Sequence, residues 1–369
     1  MAGDIARVLA REVPNQSDLV KLDDKLHSLA ESGRGVSLSV SLVEELLATG
    51  KTEAANELTD VVTQGIDHLR SEYEGAQNRV DELNEELNYH LGNFGPLLSP
   101  EARQRAIDDF MARHAGDYEA LETAAQNFGD NIDAVTAALG DGAFEGLPSE
   151  SRDAILESTH RAVLNVLPRI GETAAGGKLF GDATEAAGRG EETFLDRVTD
   201  LDLTDEQVRE YASDEIEALG VTDLVSAKNS LMTPLFQGAT LKLLGNGTNT
   251  DQLLRGIQRY GGALGLDPDK LSTITADIRQ LGTLGPDAAD DVVGPIQDRI
   301  RRNLDDLEGL DASSRAGQAF RGFATVFGAV NAINGFSDWG DADLQTRIGT
   351  IAGTLETGIG AYELVLGAT

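Results

Sequence analysis

VTQGIDHLRSEYEGAQNRVDELNEEL, residues 62–87, carries the strongest periodic signal in the chain. Val62, Ile66, Leu69, Tyr73, Ala76, Val80, Leu83 and Leu87 follow one another at alternating steps of four and three. That is the apolar seam of one long helix. Gly92-Asn93-Phe94-Gly95-Pro96 stops it, and Ser99, Pro100 and Glu101 then form a helix start: a capping hydroxyl, a proline at the first position and an acid in the first turn. A second seam follows through Ile107, Met111, His114, Tyr118, Leu121, Ala125, Phe128, Ile132, Val135 and Leu139. Two helices of about 38 residues joined by so short a turn are expected to fold back as an antiparallel coiled-coil hairpin about 55 Å long. A third helix, capped by Ser149, repeats the rhythm with Leu156, His160, Val163, Leu167 and Ile170 and is short enough to pack across the base. The fold class these patterns predict is all-α.

Outward from the seams, the rest of the chain is also helical in pattern. Residues 1–50 read as short helices, 5–13 and 17–29, broken by Pro14 and by Gly33-Arg34-Gly35. Residues 36–42 alternate apolar and polar with the period of a strand, but nothing offers to pair with one, so they are expected to lead into a helix at 43–48. Residues 51–170 make the hairpin and third helix, and 171–190, rich in Gly, Ala and Thr, are the best candidate for a linker. Residues 191–310 carry closely spaced helix starts, among them the capping box Thr204-Asp205-Glu206-Gln207, Thr222-Asp223, Asp267-Pro268 and Gly285-Pro286. Pro234 and Gly245-Asn246-Gly247 punctuate between them, giving an expected bundle of six or seven short helices.

Residues 311–369 form a segment of a different kind. Two apolar stretches, 319–336 and 348–366, flank Ser337-Asp338-Trp339-Gly340-Asp341-Ala342-Asp343. Ala324, Gly328 and Ala332 put small side chains on one helical face, and Gly349 and Gly353 form a G-x-x-x-G pair that allows close helix approach. The pattern resembles the hydrophobic helical hairpins in the translocation and pore-forming regions of bacterial toxins such as colicins and diphtheria toxin. The resemblance covers about fifty residues and implies a hairpin, with Trp339 in its tip, that enters a membrane. At 1.5 Å per residue the stretches reach only about 27–28 Å, short of the ~30 Å hydrocarbon core, which argues against a permanent span. Glu356 lies near the middle of the second stretch, where a charged acid costs about 2.5–3.5 kcal/mol. Insertion is therefore expected to require protonation of an acidic switch: Asp338, Asp341, Asp343 and Glu356.

Composition bounds the setting. The 369 residues include 63 acids and 30 bases, a net charge of −33, and only seven of the bases are Lys. Such a surface repels itself in dilute buffer, whereas molar salt shortens the Debye length from about 10 Å to about 3 Å. The balance resembles that of proteins from salt-accumulating halophiles, which sets the expected location as the cytoplasm of such a cell, or outside it by a non-classical route or within a particle. The first residues lack an apolar signal region. No basic stripe exists to neutralise phosphates, so nucleic acid is not an expected partner. The absence of cysteine removes disulfides and thiolate metal sites.

No motif names a chemistry. Gly171 through Leu179 approaches a phosphate-binding loop, but a glycine separates Gly176 from Lys178 and Leu179 stands where Ser or Thr is needed. His27, His68, His90, His114 and His160 lack zinc-ligand spacing, and Asp267-x-Asp269 and Asp130-Asn131-x-Asp133 lack the later glycine and glutamate of a calcium loop. No G-x-S-x-G turn is present. The expectation is a non-enzymatic protein with no catalytic, cofactor or metal residues. Its function is expected to be that of a membrane-acting or translocation module of toxin or virion-delivery type, partnered by lipid under acidic conditions or by protein through the coiled-coil hairpin. The alternative is an architectural helical protein, a virion component or assembly scaffold, whose hairpins are ordinary core.

Overall fold

The computed structural model describes residues 35–94, 98–244, 249–284, 290–307, 309–310 and 314–333. Among them every regular element is a helix, so the all-α class is the observed one. Contacts divide the chain into two compact units, Met1–Ala162 and Val163–Thr369. The expected helices at 5–13 and 17–29 lie outside the described residues.

The first unit contains α1 (Val36–Ala48), α2 (Thr52–Glu57), α3 (Thr59–Phe94), α4 (Pro100–Arg113), α5 (Ala115–Gly140) and the first part of α6 (Ser149–Ile170). The helix expected at 43–48 begins already at Val36. The buried set Val36, Ser39, Val40, Leu42, Val43 and Leu46 explains why, since steps of three and four share a helical face and the period-two alternation has no sheet to serve. Asn131 of α5 completes the start of this helix, its Oδ1 accepting from the Ser37 N–H at 3.0 Å and the Ser37 hydroxyl at 2.7 Å. A buried side chain thus meets a backbone donor that has no partner in its own helix.

Helix α3, of 36 residues and about 54 Å, packs on α5 and α1. Val62, Ile66, Leu69, Tyr73, Val80 and Leu83 are buried, as are Leu121, Ala125, Phe128, Ile132 and Val135 of α5. Tyr118 donates to Asn84 at 2.9 Å and Arg79 reaches Asp117 at 3.4 Å, tying the two helices together. The second long helix of the expected hairpin is not continuous. His114 (φ −108°, ψ 14°) ends α4 and precedes α5, its N–H bonded to the carbonyls of Phe110 and Met111. Its ring lies 4.6 Å from that of Phe110, and Gly116 just beyond it is a poor helix former. Ser99 caps α4 as expected, accepting from Ala102 N–H at 3.3 Å with Pro100 at the first position.

The second unit holds the rest of α6 and α7 (Ala174–Gly188), α8 (Phe194–Thr199), α9 (Asp205–Tyr211), α10 (Asp214–Ala218), α11 (Leu224–Ser230), α12 (Met232–Leu244), α13 (Thr250–Ala263), α14 (Pro268–Thr283), α15 (Asp290–Asp305) and α16 (Arg315–Ile333). Residues 171–190 do not form a linker. They are mostly α7, capped by the Thr173 hydroxyl on Gly176 N–H at 3.0 Å, and Gly176, Gly177, Phe180, Gly181, Ala183, Thr184 and Ala187 are buried. Small residues that look like flexibility in sequence serve here to let backbones touch. A Cβ on Gly238 of α12 would lie 2.6 Å from Gly177 O and Gly181 N, and one on Gly256 of α13 would lie 1.8 Å from Thr184 O. Helices α12 and α13 both pack on α7 at this backbone distance, α16 packs on α12 and α14, and α15 packs on α14. Eight helices, rather than six or seven, are described between residues 191 and 310. Thr204 with Gln207, Asp223 and Asp267 cap α9, α11 and α14 as their sequences predict. Pro234 falls in the first turn of α12, where no helical hydrogen bond is lost. Gly285-Pro286 and Gly245-Asn246-Gly247 lie outside the described residues.

Candidate functional site

Of the residues expected to act at a membrane, Ala324, Gly328 and Ala332 belong to α16. Trp339, Gly349, Gly353, Asp338, Asp341, Asp343 and Glu356 lie outside the described residues, as does the stretch 348–366. The seating of α16 is therefore what the structure adds to this segment.

Phe320, Phe323 and Phe327, at steps of three and four, are each at most 1% exposed, and Ala324 at the edge of their stripe is buried. Phe236 of α12 lies against two of them, 6.1 Å and 26° from Phe323 for one, and the Phe323 and Phe327 rings are 6.2 Å apart. Edge and offset contacts of this kind add to the burial of large apolar surface. At the start of the helix, Arg315 pairs with the Glu172 carboxylate, which is only 7% exposed. The aromatic stripe thus holds α16 by one face and the ion pair fixes its entry. No helix among the described residues is long and apolar enough to cross a membrane.

A polar cluster in the second unit centres on Asp196. Its Oδ2 accepts from Thr193 N–H at 2.8 Å and Tyr260 OH at 3.2 Å, and its Oδ1 from Arg259 at 2.7 Å. Thr193 Oγ1 also meets Tyr260 OH, and Arg259 donates to the Glu191 carbonyl at 2.8 Å. Burial pushes the Tyr260 hydroxyl far above its ordinary range. At neutral pH it is a fixed donor and not a proton carrier, and the cluster joins α8 to α13 without offering a reactive group.

The remaining candidates also resolve into local structure. Gly176 and Gly177 are inside α7 and Lys178 projects from it exposed, so no phosphate-cradling loop is formed. Asp267 caps α14, and Asn131 caps α1. Among the described residues no group of three or more His, Asp or Glu is placed to hold a metal. Sequence reasoning overlooked two features with readable signals. The spacing F-x-x-F-x-x-x-F at 320–327 announces an aromatic stripe on the same helix as the small-residue one, and Gly177-x-x-x-Gly181 is a close-approach pair. The chain matches no protein-family model, no curated protein and no solved structure.

Proposed function

We propose that this chain is a non-enzymatic architectural protein, a virion component or assembly scaffold, in which the helical hairpins are core. The observation that carries the reading is the seat of α16. A helix that is to leave for a bilayer must first give up its contacts, and exposing Phe320, Phe323 and Phe327 to water as they come away from Phe236 costs about 1.5–3 kcal/mol for each side chain, a barrier to release even though lipid would cover them again. The backbone-distance packing of α7, α12 and α13 supports the same reading, because it builds a rigid body with little room for rearrangement.

Two measurements test this. Sedimentation velocity in molar KCl is expected to show discrete self-association as protein concentration rises, and a monomer at every concentration counts against a scaffold. Dye release from anionic liposomes is expected to be nil at both about pH 4.5 and about pH 7, and acid-dependent release would restore the membrane reading, in which protonated acids admit the hairpin.

A further inference from the structure

Among the described residues of the first unit, the large apolar or aromatic side chains left exposed are Tyr89, at 69%, and Leu98, at 40%. Both stand where α3 ends and α4 is about to begin. Glu85 and Glu86 lie four and three residues before Tyr89, so all three share one side of α3, with the ring between the two carboxylates. From Asp81 to Phe94 this end of the helix carries Asp81, Glu82, Glu85 and Glu86 and no Lys or Arg. Glu82 takes Arg79 at 3.2 Å and Glu86 takes His90 at 3.7 Å, which leaves Glu85 with no ion pair among the described residues.

The start of α4 has the opposite character. Ala102 and Ala106 are one turn apart, and by helical register Arg103 and Arg105 flank them on either side. Ala106 and both arginines are exposed. Arginines this near a helix N-terminus add to the positive end of its dipole, where acids are the usual choice. Glu101 falls by register beyond Arg105, away from the alanines, and Asp108 and Asp109 come a turn later, Asp108 bonded to Gln104 at 2.9 Å. One face is thus a large ring between two acids, and the other is a shallow pair of alanines between two bases. They do not cover each other within one chain, since Tyr89, Arg103 and Ala106 all stay exposed.

We propose that a second copy of this chain docks here, the Tyr89 face of one copy on the Ala102–Ala106 face of the other. The assignment rests on the scaffold reading and names the contact that reading needs. The ring occupies the shallow place over the two alanines, while Glu85 and Glu86 meet Arg103 and Arg105, and a guanidinium beside the ring gains a cation–π contact as well. Complementary charge selects the partner, because a chain of net charge −33 repels its own copies everywhere that bases do not face acids. Each copy carries both faces, so the contact repeats reciprocally and closes on two copies.

Sedimentation velocity of the full chain in molar KCl, run as a concentration series, tests the assignment. A monomer–dimer equilibrium is expected for the parent. Two double variants, Glu85→Arg with Glu86→Arg and Arg103→Glu with Arg105→Glu, are each expected to dimerise at least tenfold more weakly while keeping the helical content of the parent, all four side chains being exposed. Mixed in equal amounts, the two are expected to dimerise as the parent does, because acid then meets base at both contacts. If the parent dimerises and both double variants do so as tightly, or if the mixture does not recover, this contact is overturned and the scaffold reading stands. A parent that is monomeric at every concentration overturns both, and leaves the two faces to a partner of another kind.

Discussion

Phe236 of α12 meets Phe320 of α16 edge to face, with ring centroids 4.6 Å apart and planes at 73°. Both rings are fully buried, so Phe320→Ala removes an aromatic contact and leaves a cavity. A loss of about 3–5 kcal/mol is expected. Val225→Ala, at a residue 65% exposed, should stay within about 0.5 kcal/mol. Chemical denaturation in molar KCl measures both, and similar midpoints for the two variants would show that α16 is not seated as described.

Glycine-to-alanine substitutions should change sign with position. At Gly256 an added Cβ lies 1.8 Å from the Thr184 carbonyl oxygen, and because that atom is backbone the helices must separate. Gly256→Ala is therefore expected to destabilise by at least about 1–3 kcal/mol. Gly75, exposed within α3, has nothing within 4 Å of the same position, and Gly75→Ala should stabilise by about 0.5–1 kcal/mol. Thermal melts of the two variants should move in opposite directions.

Alkaline pH should reveal Tyr260. Its hydroxyl is held protonated by burial, well above the ordinary value of 10.0. Below that value folded and unfolded chains both keep the proton. Above it the unfolded chain releases the proton and the folded chain does not, so stability present at lower pH is lost as pH rises past about 10. Tyr260→Phe starts lower, having lost its bonds to Thr193 and Asp196, but its stability should fall less steeply between about pH 10 and pH 11.5. Parallel declines for parent and variant would remove Tyr260 as the cause.

Salt should act on the whole surface. With a net charge of −33, raising KCl from about 0.1 M to about 2 M shortens the range of repulsion several-fold and should raise the melting temperature steeply. A melting temperature independent of KCl would contradict the halophile-like reading of the composition.

What the sequence made legible was local. Ser99-Pro100, Thr204 with Gln207, and Asp267-Pro268 cap where their chemistry says they should, because a capping bond is decided within a few residues. Val62, Ile66, Leu69, Tyr73, Val80 and Leu83 of the first seam and Leu121, Ala125, Phe128, Ile132 and Val135 of the second are buried as their spacing predicts, while Ala76 is half-buried. Composition misled where its meaning depends on a distant partner. Gly177, Gly181 and Gly188 have the residue type of a linker, and only the arrival of α12 and α13 turns them into a contact surface. The break at His114 sits inside an unbroken apolar rhythm, so periodicity had no means of finding it.

The bond from Ser37 to Asn131 spans 94 residues, and that separation sets an order of events during synthesis. The first turn of α1 cannot be completed until α5 has been made. At ribosomal speeds of about 5–20 residues per second the wait is about 5 to 20 s, during which Val36, Val40 and Val43 have no α5 to cover them. The same closure lengthens the average contact of the first unit, placing its refolding among the slower helical proteins and not with those built from local contacts alone.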